Sequence, residues 1–242
     1  MKKRLDVVLV GRGLAESRAK ARAAIEAGQV RVDGVAAARA SDLVGEGAAI
    51  EAAPAHPWVG RGALKLDHAL TLWPVQVAGR TVLDVGASTG GFTEVCLARG
   101  AARVFAVDVG RDQLHPRLRG DPRVVSLEGT DARRLDRTLV PDAVDLVVCD
   151  ASFISLAKVL PAALDLAREG ADLVALVKPQ FEAGPDAVGK GGLVRDPAVR
   201  EATLRAVQDF LQAAGWPVQA TAESPIRGGD GNAEFLVWAR KA

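Results

Sequence analysis

Apolar and polar positions change rhythm along this chain. From Thr81 onward, short apolar runs alternate with longer stretches of helical spacing. The runs Val82–Val85, Val104–Val107, Val124–Leu127, Val144–Cys149, Leu173–Val177, Val218–Thr221 and Phe235–Ala239 predict buried strands. Between them the spacing predicts helices over Gly91–Arg99, Gln113–Arg119, Ser155–Arg168 and Pro197–Ala214, with an irregular turn at Ala132–Leu135. Gly100, Gly170 and Gly215 stand where helix stops are expected. The alternation predicts an α/β domain on a parallel sheet. A Gly-rich connection joins the last two strands, which predicts a terminal antiparallel pair. One more helix, Gly62–Leu72, precedes the sheet, with Lys65 set among apolar residues.

Residues 1–52 follow another pattern. Arg4–Val10 predicts a first helix, ended by Gly11 or Gly13. Ser17 is a suitable N-cap for a second, Arg18–Ala27, with Gly28 as its stop. Arg18 and Arg22 then share a face. Gln29–Val35 reads as strand, Asp-Gly turn, strand, with Arg31 outward, and a further short strand is expected around Ala48–Glu51. This small α+β module, with Arg4-Leu-Asp-Val-Val-Leu-Val-Gly-Arg-Gly-Leu14, Ser17-Arg-Ala-Lys-Ala-Arg22 and Gly28-Gln-Val-Arg-Val-Asp-Gly34, resembles the S4 RNA-binding domain. The resemblance implies that Arg4, Arg18, Lys20, Arg22 and Arg31 meet RNA phosphates, contacts that give affinity but little sequence information.

Charge supports that division. The net charge is +1, yet residues 1–39 hold nine Lys/Arg against four acids, leaving the remainder at −4. Residues 53–61 hold two prolines and Gly60 and read as a linker, with Trp58 placed to pin it against a domain. The expected organisation is therefore 1–52, linker 53–61, and 62–242. Within the last part, 182–196 carries four glycines and predicts a functional loop able to close over substrate. The apolar run after Lys2-Lys3-Arg4 spans only Val7–Val10, and no long apolar segment follows, so a cytoplasmic protein without membrane contact is expected. Cys96 and Cys149 have no metal-binding spacing and read as buried thiols.

The candidate chemistry centres on Thr81–Thr93, a strand that runs into Asp84-Val-Gly-Ala-Ser-Thr-Gly-Gly-Phe92. Ligands of open α/β sheets sit at the carboxyl ends of strands. A dinucleotide frame read from Gly86 needs glycine at 88, where Ser88 stands, and no Gly-Lys-Ser/Thr follows. The small residues Gly86, Ala87, Ser88, Thr89, Gly90 and Gly91, with Phe92, would let backbone approach a ligand. Asp84, Asp108 and Asp131 end three successive strands. They suit the amino-acid end, ribose and adenine of S-adenosyl-L-methionine. Asp150 and Lys178 close two further strands at the same edge, and Glu234 opens the last.

Lys65, Asp150, Lys178 and Glu234 match in order and context the Lys-Asp-Lys-Glu tetrad of FtsJ-like RNA 2′-O-methyltransferases. With the S4-like module, Asp84–Thr93 and Val177-Lys-Pro-Gln-Phe-Glu182, nearly the whole chain resembles the TlyA (haemolysin A-type) family. That family's linker often reads Arg-Ala-Trp-Val, where this chain has His56-Pro-Trp-Val59. The resemblance implies a class I, Rossmann-like seven-stranded sheet and 2′-O-methylation of cytidine in ribosomal RNA, with ribosomal subunits as partners and no metal. Lys178 would stabilise the developing alkoxide or take its proton, Asp150 and Glu234 would orient the lysines, and Lys65 would hold ribose or phosphate. Two other readings compete. One is a non-catalytic ribosome-assembly factor. The other is a membrane-active haemolysin, for which the sequence offers no span and no long basic amphipathic helix. A pseudouridine synthase can also carry an S4 domain, but it has no need of the loop at 86–91.

Overall fold

The computed structural model describes residues 2–242, the Pro185 side chain excepted. The chain divides into two compact units, one ending at Pro57 and one running from Trp58 to Ala242.

The first unit contains β1 (Lys3–Arg4), α1 (Leu5–Gly11), α2 (Arg18–Glu26), β2 (Val30–Val32), β3 (Val35–Ala36), β4 (Leu43–Val44) and β5 (Ile50–Ala52). Its first helix starts one residue later than the apolar spacing predicts. Arg4 is extended and pairs with Leu43, a strand contact that local periodicity does not reveal. The Ser17 side chain accepts from Lys20 N–H and caps α2. Asp33 and Gly34 both have positive φ, +50° and +77°, the requirement of a tight type I′ hairpin turn. β2 pairs antiparallel with β3 and β5. Leu5 and Leu9 of α1 meet Ala21, Ala24 and Ile25 of α2 over Val30 and Val44 in one small core.

The second unit opens with α3 (Gly62–Leu72) and then alternates β6 (Thr81–Val85), α4 (Gly91–Ala98), β7 (Arg103–Asp108), α5 (Pro116–Arg119), β8 (Val124–Glu128) and β9 (Val144–Cys149). It continues with α6 (Leu156–Val159), α7 (Pro161–Asp165), β10 (Ala167–Val177), α8 (Pro179–Glu182), α9 (Pro197–Ala213), β11 (Val218–Glu223) and β12 (Phe235–Arg240). The sheet order is β11-β12-β10-β9-β6-β7-β8, and β12 alone runs antiparallel to its neighbours. This is the expected seven-stranded α/β sheet with its antiparallel ending. Side chains alternate along each strand, so Leu83 and Val85 enter one apolar layer while Val82 enters the other. The order reverses between β6 and β9, which leaves a crevice at the carboxyl ends of these strands.

Three expectations need correction. The helix predicted over Ser155–Arg168 is two short ones, broken at Pro161, whose missing N–H begins the second. Strand β10 then begins at Ala167, and Gly170 (φ +72°) lies inside it at a register shift rather than stopping a helix. Helix α5 starts at Pro116 instead of Gln113, because His115, which precedes the proline, is held extended at ψ 135°. Trp58 packs against the core of the second unit and Val59 is buried in it. Among the described residues no helix is long and apolar enough to cross a membrane.

Candidate active site

The crevice contains two cavities with a common wall. The first, of about 650 Å³, is lined by Lys65, Asp150, Lys178 and Glu234 together with Gly86, Ala87, Ser88, Thr89, Gly91 and Phe92. The second, of about 590 Å³, is lined by Asp108, Gly110, Gln113, Asp131 and Arg133. Gly86, Ser88, Asp150, Ser152 and Phe153 border both.

The loop after β6 has little room for larger residues. Gly86 has φ +82°, and a Cβ there would lie 2.8 Å from Ala151 Cα on the neighbouring strand end. Gly62 lets α3 approach the site, since a Cβ on it would lie 2.9 Å from Asp150 Oδ2. Gly90 (φ +95°) lines neither cavity; it precedes α4 and packs under Leu118. Ser88, a non-glycine at φ +48°, donates its N–H to Asp108 Oδ2 at 2.8 Å.

The four tetrad candidates form two ion pairs. Lys65 Nζ lies 2.5 Å from Glu234 Oε2, and Lys178 Nζ lies 2.7 Å from Asp150 Oδ1. Both lysines are only 7% exposed and Glu234 3%, so water screens these charges little. Lys178 also donates to the Asp150 carbonyl at 3.0 Å and to Ser152 Oγ at 2.8 Å. These are its two hydrogen bonds; Asp150 Oδ1 faces the ammonium by charge alone and has no hydrogen-bond partner.

The strand-end aspartates have different environments. Asp108 borders the second cavity and accepts from Ser88 N–H and Gly110 N–H. Asp131 is gripped by the Arg133 guanidinium, which holds its carboxyl down at about 2. Asp84 stands apart from the other strand-end acids. It is fully buried and lines neither cavity, because its position in β6 turns the side chain toward α4. Thr93 donates to its Oδ2 at 2.6 Å, Oδ1 has no hydrogen-bond partner, and burial pushes the carboxyl up to about 7. The carboxylate common to both cavities is Asp150 instead.

Strand-end reasoning overlooked several lining residues. Phe153 is 90% exposed, has φ +65°, and leans on Phe181 with ring centroids 5.1 Å apart. Its place three residues after Asp150 was a usable signal, and its backbone conformation was not. Arg61, Arg227 and Gln180 reach the first cavity through chain folding that no local pattern encodes.

In the first unit, Arg4 and Arg18 both pair with Asp6, Lys20 pairs with Glu16, and Arg22 with Glu26. Arg31 donates to the Gly34 carbonyl. Arg18 and Arg22 remain well exposed on α2 despite these tethers, which hold the Asp6 carboxyl far below the usual range, Arg4 foremost.

Comparison with known proteins adds to this geometry. The FtsJ-like methyltransferase family model matches residues 58–241, and the S4 domain model matches residues 3–50. The chain is 50% identical to the 16S/23S rRNA (cytidine-2′-O)-methyltransferase TlyA of Mycobacterium tuberculosis, covering 98% of this chain and 89% of that protein. It is 38% identical to Hemolysin A of Brachyspira hyodysenteriae, over 96% of this chain and 98% of that one. A solved structure from Streptococcus thermophilus that carries the hemolysin name superposes with a TM-score of 0.79 at 38% identity, covering all of this chain and 89% of the other.

Proposed function

The chain belongs to the FtsJ-like methyltransferase family, and on that premise we propose that it methylates the 2′-hydroxyl of a cytidine in ribosomal RNA, with S-adenosyl-L-methionine as donor. The observation that carries this reading is the pair of buried Lys–carboxylate ion pairs facing one cavity, with a nucleoside-sized cavity behind a shared wall. Asp108, the small residues Gly86 and Ser88, and Asp131 suit the cofactor, since the acids offer acceptors and the loop allows close approach. When bound, the cofactor supplies a methyl group already activated by a sulfonium.

The chain's own residues would then handle the ribose hydroxyl. An O2′ needs a cation beside it as negative charge develops, and Lys178 is a buried ammonium at the cavity wall. Two of its donors are engaged by the Asp150 carbonyl and Ser152 Oγ, so the hydroxyl would take the third or replace one acceptor. The neutral Ser152 Oγ is the cheapest to displace, because Asp150 holds its side of the pair by charge. Lys65, kept in place by Glu234, would fix ribose or phosphate, and Arg61 and Arg227 bring further cations to the same cavity. Phe153 and Phe181 offer a stacking face for an unstacked base. Positioning accounts for most of the catalysis. The S4-like module would dock the RNA, and the work would take place in the cytoplasm.

Lys178→Ala tests the reading. Methyl transfer to ribosomal RNA, followed by mass spectrometry of 2′-O-methylated nucleosides, is expected to fall by at least a hundredfold or so while RNA binding persists. Undiminished methylation in that variant would remove the mechanism. Failure of the wild-type protein to bind the cofactor, with or without RNA, would favour a non-catalytic assembly factor.

A further inference from the structure

The four tetrad charges cancel as two ion pairs, so the tetrad offers an incoming polyanion no net attraction. Asp230 adds a further negative charge to the same cavity. Two cations reverse that balance, Arg61 at the start of α3 and Arg227 in the connection between β11 and β12. Both are exposed. Each precedes a glycine whose backbone abuts a tetrad carboxylate. A Cβ on Gly62 would lie 2.9 Å from Asp150 Oδ2, and one on Gly228 would lie 2.7 Å from Glu234 Oε1. Segments 166 residues apart thus bring one arginine beside each carboxylate of the tetrad.

The hydrogen bonds of these arginines orient them without neutralising them. Arg61 Nη2 donates to the Arg227 carbonyl at 3.2 Å, and Arg227 Nη1 donates to the Gly231 carbonyl at 3.1 Å. Among the described residues neither is in an ion pair with a carboxylate. Arg80, Arg99, Arg103, Arg119, Arg133 and Arg168 of the same unit each hold one. Asp230 stands three residues from Arg227 but is engaged by neutral donors. Its Oδ2 accepts from Asn232 Nδ2 at 2.9 Å and Gln180 Nε2 at 3.3 Å, and its Oδ1 accepts from the Asn232 N–H at 3.2 Å. Most of the five N–H donors of each guanidinium stay open to a ligand. We propose that Arg61 and Arg227 form a clamp for the phosphodiester next to the target ribose, a group that a guanidinium fork meets bidentately. The clamp draws RNA into the cavity while the tetrad stays internally neutral for its work on the hydroxyl. The identity of the ligand as RNA rests on the 2′-O-methyltransferase reading above.

The test uses the full chain and ribosomal subunits from cells lacking the enzyme, with binding measured by filter retention over a range of potassium chloride. Arg61→Gln and Arg227→Gln should each lower the slope of log Kd against log salt by about 0.7–0.9, the loss of one phosphate contact. Each should also raise KM for the subunits, with kcat at saturating RNA close to wild type. Arg227→Lys keeps the charge and should return the slope to the wild-type value. Arg205→Gln removes the same charge from α9, outside both cavities, and should leave the slope unchanged. An unchanged slope in both cavity variants, or an equal drop in Arg205→Gln, would overturn the clamp. Weakened binding of S-adenosyl-L-methionine in Arg61→Gln or Arg227→Gln would also overturn it, since the anion held would then be the cofactor's carboxylate. A wild type that shows the arginine-dependent slope but transfers no methyl group would overturn the activity and leave the clamp standing.

Discussion

Asp84 and Asp172 are both fully buried aspartates in the same sheet. Asp172 opens the regular ladder of β10, and Arg80, Arg240 and Trp238 Nε1 all donate to it within 2.9 Å. Burial raises its carboxyl, but those three donors outweigh burial and hold it below the ordinary value. Asp84 sits near the carboxyl end of β6 with the single side-chain donor Thr93, and there burial prevails. The contrast separates two uses of buried polarity. Where a carboxylate only ties strands together, its acceptors are filled. Nearer the ligand edge of the sheet, Asp84 Oδ1 is left without a hydrogen-bond partner, although the side chain lines neither cavity.

The sharpest break of this contrast is Asp172→Ala. It strands two arginines and an indole N–H, and unfolding in urea should show a loss of about 3 kcal/mol. Methyl transfer measured well below the melting point should survive. The opposite result is expected from Lys65→Met with Glu234→Met. Removing both charges together leaves nothing buried and unpaired, so stability should shift by about 1 kcal/mol or less, while methyl transfer falls by about a hundredfold. If that double variant kept full activity, the open end of the sheet would have no catalytic role for this pair.

The two aspartates also respond to pH in opposite directions. Asp84 is raised from an ordinary value of 3.8 to about 7. Its contribution to stability is complete below pH 4 and is lost as pH rises toward 7, a change of about 2–4 kcal/mol. Asp172 is lowered, so its contribution is present above the ordinary carboxylate value and is lost on acidification. Asp84→Asn should therefore flatten the stability profile between pH 4 and 7 and leave the acid limb unchanged. An identical profile in the variant would refute the neutral Asp84. The smallest effect belongs to Ser152→Ala. With the displaceable acceptor gone, catalytic efficiency should change by only a few-fold, whereas loss of all activity would make Ser152 a chemical participant.

The strand–helix alternation after Thr81 was legible because buried parallel strands are nearly continuous apolar runs, as in Leu146-Val-Val-Cys149. The tetrad was legible as charged residues beside such runs, yet its pairing was not. Lys65 and Glu234 are 169 residues apart and meet only because α3 and the start of β12 border one cavity. The burial of Asp84 was not legible, because strand-end position was read without the alternation of faces. Its neighbour Val85 points to the opposite layer, so Asp84 faces helix α4 rather than the crevice. Gly170 misled because a glycine within a bulged strand and one ending a helix look alike in sequence.

The arginines and lysine of the first unit carry a consequence for affinity. Arg4, Arg18, Lys20 and Arg22 each already hold an internal carboxylate, from Asp6, Glu16 or Glu26. An arriving phosphate trades places with a fixed anion instead of releasing a dissolved one. The module thus carries part of its own counterion atmosphere. Binding should then depend on salt less steeply than its number of cations suggests, and the exchange should favour RNA shapes that present several phosphates at once.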